Sequence, residues 1–328
     1  MLDPNSFTAL GPKPLRMTGC AGCFDYGLTQ GRVNAIAVDP TTTTPGLIVA
    51  YLASNGGGIW KTTNCCSAAT TWAPMTDHPL VSTTGVGTVT LDPNDHNVVY
   101  AGTGDLHFGS FSMGSQGILK STDAGATWTV LGAEVFGAAY TQPAGQFPQY
   151  DAVGKVRVDP NNSSRVVAGT KKGIFISYNG GVNWTGPCTT NAFNTQRQDT
   201  TGLELSNMGG GVTRIIAAVG PRGFATTVQY DLNMNGANGL YKGTIPPSGC
   251  PTDWTLVSRN DNGFVFGTNV GGPYATGANM NAGSGNQYVN STTGNQLGRI
   301  DIAVAPSNPN YIYAQVSSIA TPQPSCGA

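Results

Sequence analysis

Few residues in this chain are suited to chemistry, and they fall between strand-like runs. Asp105 and His107, in Gly104-Asp105-Leu106-His107-Phe108, could form a general acid/base pair or part of a metal site. Asp151 stands alone just ahead of another apolar run. No third partner accompanies Asp105 and His107, so a solvated loop with a hydrogen-bonded histidine is the simpler reading. The three residues are candidates for catalysis and no more. The other histidines, His78 and His96, do not sit at ligand spacing from cysteines, and neither a metal nor a cofactor is expected. The seven cysteines are Cys20, Cys23, Cys65, Cys66, Cys188, Cys250 and Cys326. Cys20-Ala21-Gly22-Cys23 is followed by Phe24 and so lacks the histidine of a haem-attachment motif. Cys65-Cys66 are adjacent, which suits no tetrahedral site. Disulfides in loops account for the set, and the odd count leaves at least one thiol over. Trp60, Tyr140, Tyr150 and Tyr230, with Arg222, could stack on sugar rings or seat a partner protein.

Composition narrows the classes. The 328 residues carry 16 basic and 17 acidic side chains, a net charge of −1, and only 10% are charged, against roughly 25% in an ordinary domain. Nucleic-acid binding needs a basic patch, which is lacking. No apolar run approaches the roughly 20 residues that cross a bilayer. Low charge, Thr/Asn/Ser/Gly richness and disulfides together point to an extracellular or cell-surface location. The numbering shows no signal peptide, so either the protein stays inside or the numbering begins after a processed leader or a cloning cut.

The chain repeats. Trp72, Trp128, Trp184 and Trp254 recur at intervals of 56, 56 and 70. Apolar runs ending in Asp39-Pro40, Asp92-Pro93 and Asp159-Pro160 precede the first three. A second apolar run follows each, and then Gly58-Ile59-Trp60-Lys61, Gly117-Ile118-Leu119-Lys120, Gly173-Ile174-Phe175-Ile176 or Gly239-Leu240-Tyr241-Lys242. Four short β runs per unit, without helical periodicity, describe a four-stranded antiparallel blade, and radial repetition of blades is a β-propeller. The expected blades span about 31–78, 85–131, 154–187 and 210–258, with a partial fifth at 298–318. Residues 1–30 are expected to be an N-terminal extension or edge segment, with 31–328 as the propeller. A fifth blade that stops after two strands suggests part of a larger propeller, or an arc completed by another chain or by self-association.

The tightest turn carries a resemblance. Ser121-Thr122-Asp123-Ala124-Gly125-Ala126-Thr127-Trp128 and Ser177-Tyr178-Asn179-Gly180-Gly181-Val182-Asn183-Trp184 share a pattern of Ser, Asp or Asn, Gly and Trp. An Asx side chain caps turn N–H groups, Gly permits positive φ and Trp wedges between sheets. The pattern resembles the Asp-box (BNR) repeat of sialidase-like, sortilin-like and xyloglucanase-like propellers. Thr62-Thr63-Asn64-Cys65-Cys66 is a degenerate copy that reaches Trp72 through an insertion. The resemblance implies an all-β propeller and tests two enzymatic templates. Xyloglucanase-like enzymes carry a catalytic Asp in the first blade, in a pattern like Tyr-Ala-Arg-Thr-Asp-x-Gly-Gly, with a partner acid from a second propeller. The matching stretch, Tyr51-Leu52-Ala53-Ser54-Asn55-Gly56-Gly57, puts Asn55 at that place, and an amide is no general acid or base. Sialidases need an arginine cluster and a Tyr–Glu pair, whereas Glu134 and Glu204 are the only glutamates and no Arg-Ile-Pro occurs.

With strands A to D counted outward, the B–C and D–A connections share one face. They receive the long segments 103–114, 132–154, 189–210, 222–238 and 260–298, which places any binding surface there. The expectation is a non-catalytic binding or assembly module for a glycan or protein, with Asn55, Trp60, Tyr140, Tyr150, Arg222 and Tyr230 as candidate contacts. The alternatives are a glycoside hydrolase whose acids lie partly on another segment, and a subunit of an extracellular filament.

Overall fold

The computed structural model describes residues 15–17, 27–29, 32–77, 81, 85–106, 114–137, 151–188, 199–219, 239–257 and 297–318. Strands β1 (Leu15–Met17) and β2 (Gly27–Thr29) pair as a separate hairpin. The first large sheet is the antiparallel meander β3 (Arg32–Val38), β4 (Ile48–Asn55), β5 (Gly58–Cys65) and β6 (Ala73–Pro74). The second holds β7 (Val86–Asp92), β8 (Asp95–Thr103), β9 (Ile118–Ser121) and β10 (Thr129–Leu131), followed by the single turn α1 (Ala133–Phe136). The third has β11 (Val153–Asp159), β12 (Asn162–Thr170) and β13 (Gly173–Ser177). The fourth has β14 (Thr200–Asn207), β15 (Thr213–Val219), β16 (Gly239–Thr244) and β17 (Thr255–Leu256). A last pair, β18 (Leu297–Val304) and β19 (Ile312–Ser318), begins a fifth.

Successive sheets meet through their first strands, β3 on β7, β7 on β11, β11 on β14 and β14 on β18. Sequential meanders set around their innermost strands are propeller blades. The core is accordingly four apolar layers, one per seam. Tyr51, Ala53 and Ile59 of sheet 1 pack on Val86, Val89, Val99 and Trp128 of sheet 2. Tyr100, Ile118 and Phe136 pack on Val153, Val156, Val166 and Phe175. Val167, Ile174 and Ile176 meet Leu203, Ile215 and Tyr241, and Ile216, Ala218 and Leu240 meet Ile300 and Ile302. The inner strands approach closely where glycine allows it. A Cβ on Gly87 of β7 would fall 2.7 Å from the Val153 carbonyl oxygen of β11.

Two polar latches recur across the seams. The aspartate at the end of the first strand in sheets 1 to 3 accepts the backbone N–H two residues on: Asp39 from Thr41, Asp92 from Asn94 and Asp159 from Asn161. The same carboxylates then reach the next sheet, at His96 Nδ1 (2.8 Å), Ser163 Oγ (3.1 Å) and Thr213 Oγ1 (2.6 Å). The Asp-Pro signature is therefore a turn and a seam contact at once. The second latch is a cross-strand Tyr–Lys pair. Tyr51 is opposite Lys61 and Tyr100 opposite Lys120, and both members of each pair donate to one carbonyl of the following sheet's turn. Tyr51 Oη and Lys61 Nζ bind the Ala124 carbonyl at 2.9 and 2.8 Å, while Tyr100 Oη and Lys120 Nζ bind that of Gly180, both at 3.1 Å. Each ammonium also sits 5.2–5.3 Å from its tyrosine ring centroid. Burial pushes the Tyr51 phenol up to about 12, which keeps it protonated as a donor. Tyr100→Phe is expected to lower stability by about 1 kcal/mol in chemical denaturation, because Lys120 still serves the Gly180 carbonyl.

The third seam lacks this pair, since Val167 faces Ile176 there. Tyr178 Oη donates instead to the Gly249 carbonyl at 2.8 Å, and a disulfide joins Cys188 to Cys250. Of the seven cysteines expected in disulfides, Cys65 and Cys66 are thiols, and Cys20, Cys23 and Cys326 lie outside the described residues.

The structure departs from the sequence reading in two further places. The segment 189–210, read as a loop, contains β14, the first strand of the fourth sheet. That strand ends in Asn207-Met208 and lacks the Asp-Pro that marks its counterparts. The Trp184 strand is reduced to a single bridge between Ile176 and Thr185. Gly186-Pro187 follows at once, and proline has no N–H for the ladder.

Candidate functional site

The turns that resemble Asp boxes act as scaffolding. Asp123 accepts from the Ser121 hydroxyl at 2.7 Å and from the Thr127 N–H at 2.8 Å; the Thr127 hydroxyl bonds its other oxygen at 2.6 Å. The Thr127 and Ser121 bonds hold this exposed carboxyl down at about 2. Asn179 repeats the arrangement with Ser177 and the Asn183 N–H. Gly125 and Gly181 take φ of 89° and 96°, and each N–H donates to the turn's serine. Trp128 Nε1 donates to the Met75 carbonyl of sheet 1, so this tryptophan ties two blades. None of these groups is poised for chemistry.

The opposite face, made by the B–C and D–A connections, gathers two sets of polar residues. The first joins three elements. Asn55 ends β4, Arg32 begins β3 and Asp105 follows β8. Arg32 Nη2 pairs with Asp105 Oδ2, and Asn55 Nδ2 donates to the same oxygen at 3.0 Å. A carboxylate only accepts, so the Asn55 amide must turn its nitrogen toward Asp105. Its Oδ1 is buried and has no hydrogen bond among the described residues. The Asp105 side chain is 1% exposed, whereas that of Arg32 is 42% exposed. The Trp60 indole folds back over this turn, donating to the Gly57 carbonyl at 2.7 Å. Asp105 thus sits as the acceptor in an ion pair with Arg32.

The second set surrounds Asp151, just ahead of β11. Its Oδ1 accepts the Ala152 N–H at 2.9 Å, and Lys172 Nζ lies 3.7 Å from Oδ2. Lys171, also on the β12–β13 turn, is 2% exposed, and Asp199, just before β14, is 1% exposed. Burial pushes the Asp151 carboxyl up to about 7, against the opposing pull of Lys172 and Lys171, with the Asp199 charge adding to the rise. Between the ordinary value of 3.8 and about 7 the folded protein keeps a proton that the unfolded chain has lost. This contribution to stability is full below the ordinary value and is lost as pH rises through about 7. Thermal melts across that range should show stability falling with rising pH, and Asp151→Asn should flatten the slope.

The structure therefore brings Asn55, Trp60 and Asp105 into one place and holds Asp151 with a different set. His107, Tyr140, Tyr150, Arg222 and Tyr230 lie outside the described residues. Sequence reasoning missed Arg32, Lys171, Lys172 and Asp199. Lys171-Lys172 was the available signal, as adjacent cations in a chain with only 16 basic residues. Among the described residues no group of three His, Cys, Asp or Glu could hold a metal ion, and no helix is long and apolar enough to cross a membrane. On the other face, a cleft of about 430 Å³ between sheets 3 and 4 is lined by Asn162, Arg165, Tyr178, Val212, Thr244 and Ile245. There Arg165 is committed to Asp159 and Tyr178 to Gly249.

No protein-family model matches the chain. It is 28% identical over 201 residues to a xyloglucanase of Hypocrea jecorina, a match covering 52% of this chain and 23% of that protein. Among solved structures it is similar to the GH74 xyloglucanase from Xanthomonas campestris, with a TM-score of 0.46 and 19% identity over 87% of this chain and 35% of that one. The Niastella koreensis GH74 enzyme is similar with a TM-score of 0.42 and 25% identity, over 69% of this chain and 30% of the other. The chain spans less than a quarter of the curated relative's length, and what it is similar to is a portion of a xyloglucanase.

Proposed function

We propose that this chain is an extracellular propeller of the Asp-box kind that binds a neutral polysaccharide on its B–C/D–A face without cleaving it. The observation that carries the reading is the fixed cluster of Arg32, Asn55 and Asp105. The residue matching the expected first-blade acid is an amide, and the nearest carboxylate is buried under a guanidinium. Neutral glycan suits a face on which, among the described residues, Arg32 pairs with Asp105 and Lys172 with Asp151, beside the half-buried Trp60. The xyloglucanase relative makes a β-glucan such as xyloglucan the first ligand to try.

Binding should be measurable by calorimetry with xyloglucan oligosaccharides, and Trp60→Ala should weaken it about tenfold. No reducing ends should be released. A second reading, a glycoside hydrolase with further acids elsewhere, is favoured by Asp151, a carboxyl that burial pushes up to about 7, into the range that suits a general acid. Sugar release that disappears in Asp151→Asn or Asp105→Asn would replace the binding reading with that one.

A further inference from the structure

We propose that Cys65 and Cys66 form a redox-responsive pair that closes to a disulfide between adjacent residues and locks the first sheet's outer turn. The turn is built like its two counterparts. Asn64 Oδ1 accepts from the Thr62 hydroxyl at 3.0 Å and from the Thr71 N–H at 2.9 Å, as Asp123 does from Ser121 and Thr127. The partner N–H lies seven residues on instead of four, so three extra residues are looped out inside an unchanged frame. Within that frame Cys65 and Cys66 replace Ala124-Gly125 and Gly180-Gly181. Cys66 therefore stands where the other turns have glycine, and it takes φ of 70°, a left-handed conformation that a side chain disfavours.

A cysteine in a glycine position needs a reason, and the sulfurs supply one. The two Sγ atoms lie 2.8 Å apart. The turn is anchored independently, because the Cys65 carbonyl accepts the Gly46 N–H at 2.8 Å, so closing the ring need not rebuild the blade. Adjacent Cα atoms are about 3.8 Å apart, shorter than the usual disulfide span of roughly 4.4–6.8 Å. A bond here is thus strained and easily reduced. Cys188–Cys250, with Cα atoms 5.2 Å apart, spans a usual distance and is the structural bond.

The oxidant is a small-molecule disulfide such as oxidised glutathione. One cysteine thiolate attacks it, forming a mixed disulfide and expelling one small thiolate. The second cysteine thiolate attacks the protein sulfur of that mixed disulfide and expels the other. Two electrons pass from the cysteines to the reagent, and the two cysteine protons end on two small thiols. Burial pushes the Cys65 thiol up to about 11, so the exchange should accelerate as pH rises.

Trypsin releases Thr62 to Lys120 as one peptide in which Cys65 and Cys66 are the only cysteines, so the test is direct. The full chain is equilibrated with oxidised glutathione, blocked with iodoacetamide and digested without reduction. The expected peptide is unalkylated, unattached to any other and lighter than its reduced form by two hydrogens, about 2 Da. Double alkylation, lasting glutathione adducts or a link to Cys20, Cys23 or Cys326 would overturn the proposal. Cys66→Gly restores the residue of the other two turns and should fold. Its melting temperature should not respond to the reagent, whereas that of the parent chain, with Cys188–Cys250 intact, should shift on oxidation. Identical responses in the two proteins would also overturn it.

Discussion

Asp159→Ala is expected to cost about 3–5 kcal/mol of stability. The carboxylate is fully buried and ion-paired with Arg165 Nε at 2.7 Å, and its Oδ1 accepts both the Asn161 N–H and the Thr213 hydroxyl. Removing it strands a guanidinium that is 13% exposed and a hydroxyl that is fully buried. The charge partner is what makes the loss large. Thr213→Val, which removes only the seam bond, should cost about 1 kcal/mol. Guanidinium titrations of the two variants check the pair, and a loss below about 1 kcal/mol for Asp159→Ala would mean that water reaches the turn.

Opening the Cys188–Cys250 bond is expected to cost about 4 kcal/mol, from the loop entropy of a sequence separation of 62. The bond spans the seam where Val167 and Ile176 replace the Tyr–Lys pair, leaving the Tyr178–Gly249 and Asp159–Thr213 hydrogen bonds as its polar contacts. A Cys188→Ala/Cys250→Ala double variant should therefore unfold at clearly lower denaturant than the parent. It should also lose the parent's sensitivity to a strong reductant. A midpoint shift no greater than that of Tyr100→Phe would show that the apolar layer of Leu203, Ile215 and Tyr241, with the Tyr178 and Thr213 hydrogen bonds, holds the seam without it.

The sequence was most legible where one residue has two jobs. Asp39, Asp92 and Asp159 cap their own turns and bond the next sheet, so Asp-Pro recurs and can be counted. Ser121 and Asp123 likewise foretold the turn that the structure shows. Where the two jobs separate, the pattern fades. Asn207 closes β14 by capping the Gly209 N–H with no proline after it, and the strand was read as loop. The candidate site was half legible. Asn55 and Asp105 were visible as residue types, but Arg32 lies 73 positions from Asp105, and no local pattern records such a contact. The Asp151 environment was hidden for the same reason, because the charges that act on it, Lys171, Lys172 and Asp199, come from two other connections.

The division of the core into separate seams has a mechanical consequence. A globule with one shared core yields to a pulling force in one event, whereas stacked units joined only to their neighbours give way one at a time. Under tension the seams should give way one by one, each setting its own rupture force. The Cys188–Cys250 bond shields the residues between it from extension, holding back a length of roughly 200 Å at about 3.3–3.6 Å per residue. The oxidation state of one bond thus decides how far the protein can be stretched.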